Sequence, residues 1–240
     1  MAMLAMLATS FVACDKDDDK GNDNTNVFDL GLPSGIKWAT CNVGATNPWD
    51  YGNYYAWGET QTKDNYSWET YKYCNGDNSL TKYNNVASHG TVDNKTTLES
   101  ADDVATAVFG ANYSMPTTAD WDELSNQCYW VWTNNYNGRN VRGYIVYRAK
   151  SNSDKGAKVY SGGTPSPSYS LFDAHIFLPA AGWRNSSSLS SAGSGGDYWS
   201  SSLELGPYYA RICFFNSNSV YPSGYSDRCY GFSVRPVKRP

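Results

Sequence analysis

The sequence of 240 residues contains only two histidines, His89 and His175, and charged residues make up only 18% of it. The two histidines stand far apart, and no GxSxG, HExxH or phosphate-cradling glycine loop occurs anywhere in the chain. The usual starting points of serine hydrolysis, zinc proteolysis and nucleotide chemistry are therefore missing. No cysteine spacing reads as a zinc knuckle or a CxxC redox pair. Apolar runs stay well short of the roughly 18 residues a membrane-spanning helix needs. The net charge of −4 gives no electrostatic reason to expect nucleic acid. No internal repeat is present.

What the chain has instead is aromatic surface. Aromatic residues reach 15%, with 20 Tyr and 9 Trp, while the mean hydropathy is −0.58 because Asn, Ser, Thr, Gly and Asp fill the remainder. That much ring area can offset the entropy of ordering and excludes a disordered chain. Such a balance predicts a β-rich, loop-heavy α+β domain with Tyr and Trp half buried and their polar ends wet.

The opening MAMLAMLATSFVA is apolar, too short to span, and reads as the core of a secretion signal over residues 1–13. The basic segment that ordinarily precedes such a core is missing, which points to a late start or a trimmed sequence. Cys14 follows Phe11-Val12-Ala13 and resembles a lipobox cysteine that carries lipid, with Phe where Leu is usual. The alternative is a plain signal peptide with a chance cysteine. Residues 14–26, with Asp15-Lys16-Asp17-Asp18-Asp19 and GNDNTN, form a solvated tether and resemble the acidic export signal of surface lipoproteins in Gram-negative gut anaerobes. Residues 27–240 then read as one domain. With Cys14 lipidated, five cysteines remain, an odd number. Cys41 and Cys128 read as small buried hydrophobes, while Cys213 and Cys229 flank one loop and form a candidate disulfide.

Along the domain, the alternation at Ile36, Trp38 and Thr40 suggests short strands joined by a Pro-Ser-Gly turn. The aromatic stretch Pro48–Tyr73 reads as irregular, packed through Trp49, Tyr54, Trp57 and Trp68. A helix is expected over Thr97–Phe109, ended by Gly110. A second is capped by Thr117 or Thr118, with Trp121, Leu124 and Cys128 as its buried stripe. Strands follow at Tyr129–Thr133 and Gly143–Arg148 around a turn at Tyr136-Asn137-Gly138. Ser151–Ser170 reads as a loop. Further strands are expected from Ile176, near Arg211–Phe215, and at Phe232–Val237.

Six strings occur in order: LGLPSGIKWATCNVGA, DYGNYYAWGET, SMPTTADWDEL, IFLPAAGWR, GDYWSSS and GFSVRPV. Together they resemble gut-bacterial lipoproteins with the FISUMP-type major paralogous domain. That group is similar to the C-type-lectin-like fold of formylglycine-generating enzymes and of variable proteins diversified by retroelements. The resemblance implies a C-type-lectin-like domain on an outer-membrane lipoprotein facing the cell exterior. In it Tyr198–Ser201 and Gly231–Val237 support a strand-and-loop binding surface between them. Gly195-Gly196 reads as a tight turn ahead of the first support.

The segment Arg184–Cys229 fits that role chemically. Its 46 residues hold 13 Ser, 5 Tyr, 5 Gly and 3 Asn, and no Lys. Tyr supplies large amphipathic contacts at low entropy cost, and Ser, Gly and Asn supply adaptable hydrogen bonds, as in antibody paratopes. The candidate ligand-binding residues, for an external protein or glycan, are Tyr208, Tyr209, Arg211, Phe215, Asn216, Asn218, Tyr221, Tyr225, Asp227 and Tyr230. Ile212, Phe214 and Val220 are assigned to the core by alternation. The bland alternative is a polar loop-rich surface without a dedicated ligand, as in a structural or fimbria-associated lipoprotein. An enzyme of the formylglycine-generating type needs two reactive late cysteines, and no matching motif surrounds Cys213 or Cys229. The Glu-Pro-Asn, Gln-Pro-Asp and Trp-Asn-Asp strings of calcium-dependent lectins do not occur. The expectation is a binding protein without catalysis, cofactor or metal.

Overall fold

A computed structural model describes residues 27–76 and 79–240. The expected signal sequence, Cys14 and the tether lie outside the described residues. The architecture is α+β, with two α-helices among many short, mostly antiparallel strands and long irregular connections. No helix among the described residues is long and apolar enough to cross a membrane.

β1 (Val27–Phe28) and β2 (Lys37–Ala39) pair across the Pro-Ser-Gly turn, where Gly35 takes a φ of +73° and its N–H donates to the Leu32 carbonyl at 2.9 Å. The following aromatic stretch is irregular because its rings, not a ladder, satisfy it. The Tyr54 hydroxyl donates to the Ala181 carbonyl at 2.6 Å, and Trp57 Nε1 donates to the Ser200 carbonyl at 2.8 Å. A small ladder, β3 (Cys74–Asn75) and β4 (Ser79–Leu80), closes this region.

Helix α1 covers only Val104–Phe109, half the length the sequence pattern suggests. Residues before it are drawn away: the Leu98 N–H donates to the Ser201 carbonyl at 2.9 Å, and Thr97 bridges Ser202. Asp103 caps the helix by accepting from the N–H groups of Ala105 and Thr106 at 2.9 and 3.2 Å. Gly110 ends it, as its sequence position suggests. β5 (Tyr113–Ser114) leads to α2 (Thr118–Gln127), where Thr117 and Asp120 exchange side-chain to backbone hydrogen bonds in a capping box. Trp121 and Leu124 are buried on its inner face, and Cys128 follows them into the core.

β6 (Cys128–Thr133) and β7 (Gly143–Arg148) form the expected hairpin. β8 (Lys158–Val159) arises within the segment expected to be pure loop and runs parallel to β6, while β9 (His175–Pro179) pairs with β7. A hairpin of β10 (Trp183–Asn185) and β11 (Ser188–Ser190) precedes a meander of β12 (Gly195–Leu203), β13 (Tyr209–Asn216) and β14 (Ser219–Asp227). The last strand, β15 (Val237–Lys238), inserts between β2 and β5. The expected strand over Phe232–Val237 is regular only at its end. Phe232 and Ser233 make single bridges to Tyr55 and Tyr198, and Arg235 leaves the ladder for the interior.

The meander is buried on two faces near its centre. Trp199, Ala210 and Ile212 join a cluster with Trp57, Tyr66 and Tyr71. Tyr198, Cys213 and Phe215, from the other face of the same strands, join Trp38, Trp121, Trp130 and Tyr144. This explains Tyr198-Trp199 as adjacent residues that are both fully buried. Gly195-Gly196 is not a turn but the start of β12. A Cβ at Gly196 would fall 2.4 Å from the Phe215 ring, so the strand needs glycine there for the ring to lie across it. The turn comes earlier, at Ser191–Ser194, with Gly193 at a φ of +78°.

Candidate functional site

Phe214 of β13 lies opposite Asp197 of β12, and Tyr221 of β14 lies opposite Phe214. The three residues therefore form one cross-strand row on one face of the meander. Phe214 and Tyr221 stack with ring centroids 5.7 Å apart and planes only 5° off parallel. β12 is flanked on its other side by bridges from Gly182 to Gly196 and from Ser233 to Tyr198. These bridges bring Trp183 and Phe232 up beside the same face. Trp183 packs on Tyr230 at 5.2 Å and on Phe232 at 6.3 Å between centroids.

Between these rings lies a cleft of about 470 Å³, lined also by Ile212, Pro222–Ser226 and Asp197. Its size is within the range of ligand pockets, roughly 300–1,000 Å³. The wall from β14 is shaped by a bulge. Ile212 pairs with Gly224 and Phe214 with Tyr221, so Pro222 and Ser223 together face the single residue Cys213. Proline is tolerated there because β14 is the edge strand and the bulge leaves its missing N–H without a ladder partner to disappoint.

Asp197 is the charged group of the cleft. It is 8% exposed, no donor or cation among the described residues meets its carboxylate, and burial alone pushes its pKa up to about 7. Asp227, also raised by burial, differs in that Tyr230 and Trp68 lie beside it and hold its carboxyl lower.

The sequence-derived residues divide into groups. Tyr221, Tyr225 and Tyr230 line the cleft. Tyr221 and Tyr225 are 56% and 60% exposed, and Tyr209 packs edge-on against Tyr225 at 5.5 Å. Tyr208 turns away, edge-on to Trp68 at 5.3 Å and with its hydroxyl 3.1 Å from His89 Nδ1. Arg211 lies on the opposite face from Phe214, ion-paired to Glu204 at 2.5 Å and donating to the Ser223 carbonyl at 2.9 Å. Asn216 and Asn218 belong to the β13–β14 turn: Asn216 Oδ1 accepts from the Asn218 N–H at 2.8 Å and from the Ser219 hydroxyl at 3.0 Å.

Two assignments are corrected and one is extended. Phe215 is not a ligand contact, because it is fully buried between Gly196, Tyr144 and Tyr198. Phe214, assigned to the core, does pack half-buried against the cluster of Trp199 and Ile212 but also lines the cleft. Cys213 and Cys229 are not joined. Both are free thiols in different core clusters, and burial pushes both pKa values up, that of Cys229 to about 12. Neither lines the cleft.

Sequence reasoning missed Asp197, Trp183 and Phe232. Each sits inside a string taken as scaffold, GDYWSSS, IFLPAAGWR or GFSVRPV. The one available signal was Asp197 itself, a charge among the apolar and small residues of a strand destined for the core. Of the two histidines, His175 is structural: its ring nitrogens meet the Tyr136 hydroxyl at 3.0 Å and the Asp173 carbonyl at 2.8 Å, and burial lowers its pKa. No family model, curated protein or solved structure matches the chain.

Proposed function

We propose that this chain is a surface lipoprotein, anchored through Cys14 to the outer membrane, that binds an external ligand at the cleft between β12–β14 and the Trp183–Tyr230–Phe232 rings. The fold is read as C-type-lectin-like and the role as recognition without catalysis. One observation carries the reading: the cleft opens on the Tyr/Ser-rich segment whose composition suits adaptable recognition. Exposed Tyr221 and Tyr225 at its rim, above rigid buried strands, give a contact surface that loses little entropy on binding.

Glycan and protein arrays probed with the described domain and with a Tyr221→Ala/Tyr225→Ala variant test this. Array ligands that bind the parent and are lost in the variant support the reading. Binding that the double substitution leaves unchanged overturns it.

A further inference from the structure

The chemistry of the cleft narrows what can enter it. Its lining holds no lysine or arginine, so nothing there compensates an anion. The polar groups of the lining are the hydroxyls of Tyr221, Tyr225, Tyr230, Ser223 and Ser226, the Trp183 indole N–H and Asp197, and Asp197 alone is both charged and on a buried residue. What the cleft does present is ring surface from both flanks of β12, set around one carboxylate.

Asp197 is a buried residue whose carboxylate opens only on the cleft and has no partner among the described residues. Leaving an ionised carboxylate dry and unpaired is costly, whereas an opposite charge delivered beside it recovers the interaction. The faces of Trp, Tyr and Phe attract a cation through their quadrupoles, most strongly where water is excluded. Phe214 and Tyr221 stand in the same cross-strand row as Asp197, with Trp183 and Phe232 brought alongside by the bridges at Gly196 and Tyr198. Rings and charge thus converge on one volume.

We infer that the cleft receives a compact organic ammonium group, with Asp197 as its counter-ion and Trp183, Phe214, Tyr221 and Tyr230 as its aromatic enclosure. This rests on the reading of the cleft as the ligand site and specifies the chemistry of what it takes. Desolvation of Asp197 is part of the design, since a neutral ligand leaves that penalty in place and a cation removes it. Selectivity for ammonium over uncharged groups of the same shape follows.

The test is isothermal titration calorimetry of the chain against tetramethylammonium, choline and the uncharged choline isostere 3,3-dimethylbutan-1-ol. Lysine amide and Nε-trimethyllysine amide are run beside them. The expected result is saturable binding of at least one ammonium probe, with the uncharged isostere weaker by about tenfold or more, or about 1.4 kcal/mol. Asp197→Asn lowers ammonium affinity by a similar factor while the thermal midpoint at neutral pH does not fall. Preference for choline assigns the group to a head group of a lipid or wall polymer; preference for a lysine derivative assigns it to a polypeptide side chain. Equal binding of choline and its isostere, ammonium binding indifferent to Asp197→Asn, or no ammonium binding up to millimolar concentration overturns the inference. If array ligands are lost in the Tyr221→Ala/Tyr225→Ala variant while no ammonium probe binds, the ammonium inference falls and the surface reading stands.

Discussion

Asp197 stands opposite Phe214 in the β12–β13 ladder, a carboxylate and a ring paired across two strands at the base of the cleft. The pairing is unusual in its energetics. Every other large side chain that β12 turns inward, Tyr198 and Trp199 among them, adds apolar burial, whereas Asp197 subtracts from stability whenever it is ionised.

The sign of that effect can be measured. Asp197 has a folded-state pKa of about 7 against an ordinary 3.8, so between those values the native protein binds more protons than the unfolded chain. Stability from this group is present below about pH 4 and is lost as pH rises through 7. Three units correspond to at most about 4 kcal/mol. Asp197→Asn is expected to flatten the slope across pH 4–7 and to raise stability at pH 8 by about 1–4 kcal/mol. Urea unfolding at several pH values checks this, and an unchanged slope contradicts it.

Gly196 and Phe215 are coupled by contact. A methyl group at Gly196 would meet the Phe215 ring well inside van der Waals distance. Gly196→Ala is expected to cost about 1–3 kcal/mol, and Phe215→Leu in the same chain to cost less than its single effect suggests. A double-mutant cycle by denaturant unfolding measures the coupling; strict additivity would show that the ring does not hold the glycine.

If the gene is diversified as its resemblance to retroelement-diversified proteins suggests, the structure says where substitutions can be tolerated. They are expected at the exposed Tyr209, Asn218, Tyr221 and Tyr225, at adenine-containing codons, and not at the buried Cys213, Phe215 or Arg228. Sequencing the locus across many cells of one strain checks this. Variation spread evenly over exposed and buried positions, or none at all, contradicts it.

Much of the fold was legible in local pattern. The capping signals at Thr117 and Asp120, the β6–β7 hairpin and the buried β9 run were readable because each is decided by residues within a few positions. The failures are non-local. Alternation along β13 cannot tell which face meets the core when both faces do, so Phe215 was taken as a contact although it is core. Helix α1 lost its first half to a pairing with a strand a hundred residues away. Arg228 and Arg235, each fully buried, were invisible as structural anchors. Arg228 donates to the Tyr71 hydroxyl and to the carbonyls of Lys82, Tyr83 and Pro207, and Arg235 to Asn42 and to the carbonyls of Ala39, Thr40 and Phe177. No motif announces a backbone carbonyl as a partner. The cleft shows the same division: its tyrosines stood out by composition, while Asp197 and Trp183 were hidden within strings that the fold also needs.

The measurement closest to the central claim is hydrogen–deuterium exchange of the chain with and without the strongest array ligand. Protection concentrated in residues 209–230 and around Trp183 and Asp197 is the predicted result. Protection centred on the β8-β6-β7-β9 sheet or on α2, with the β13–β14 hairpin unaffected, would contradict it.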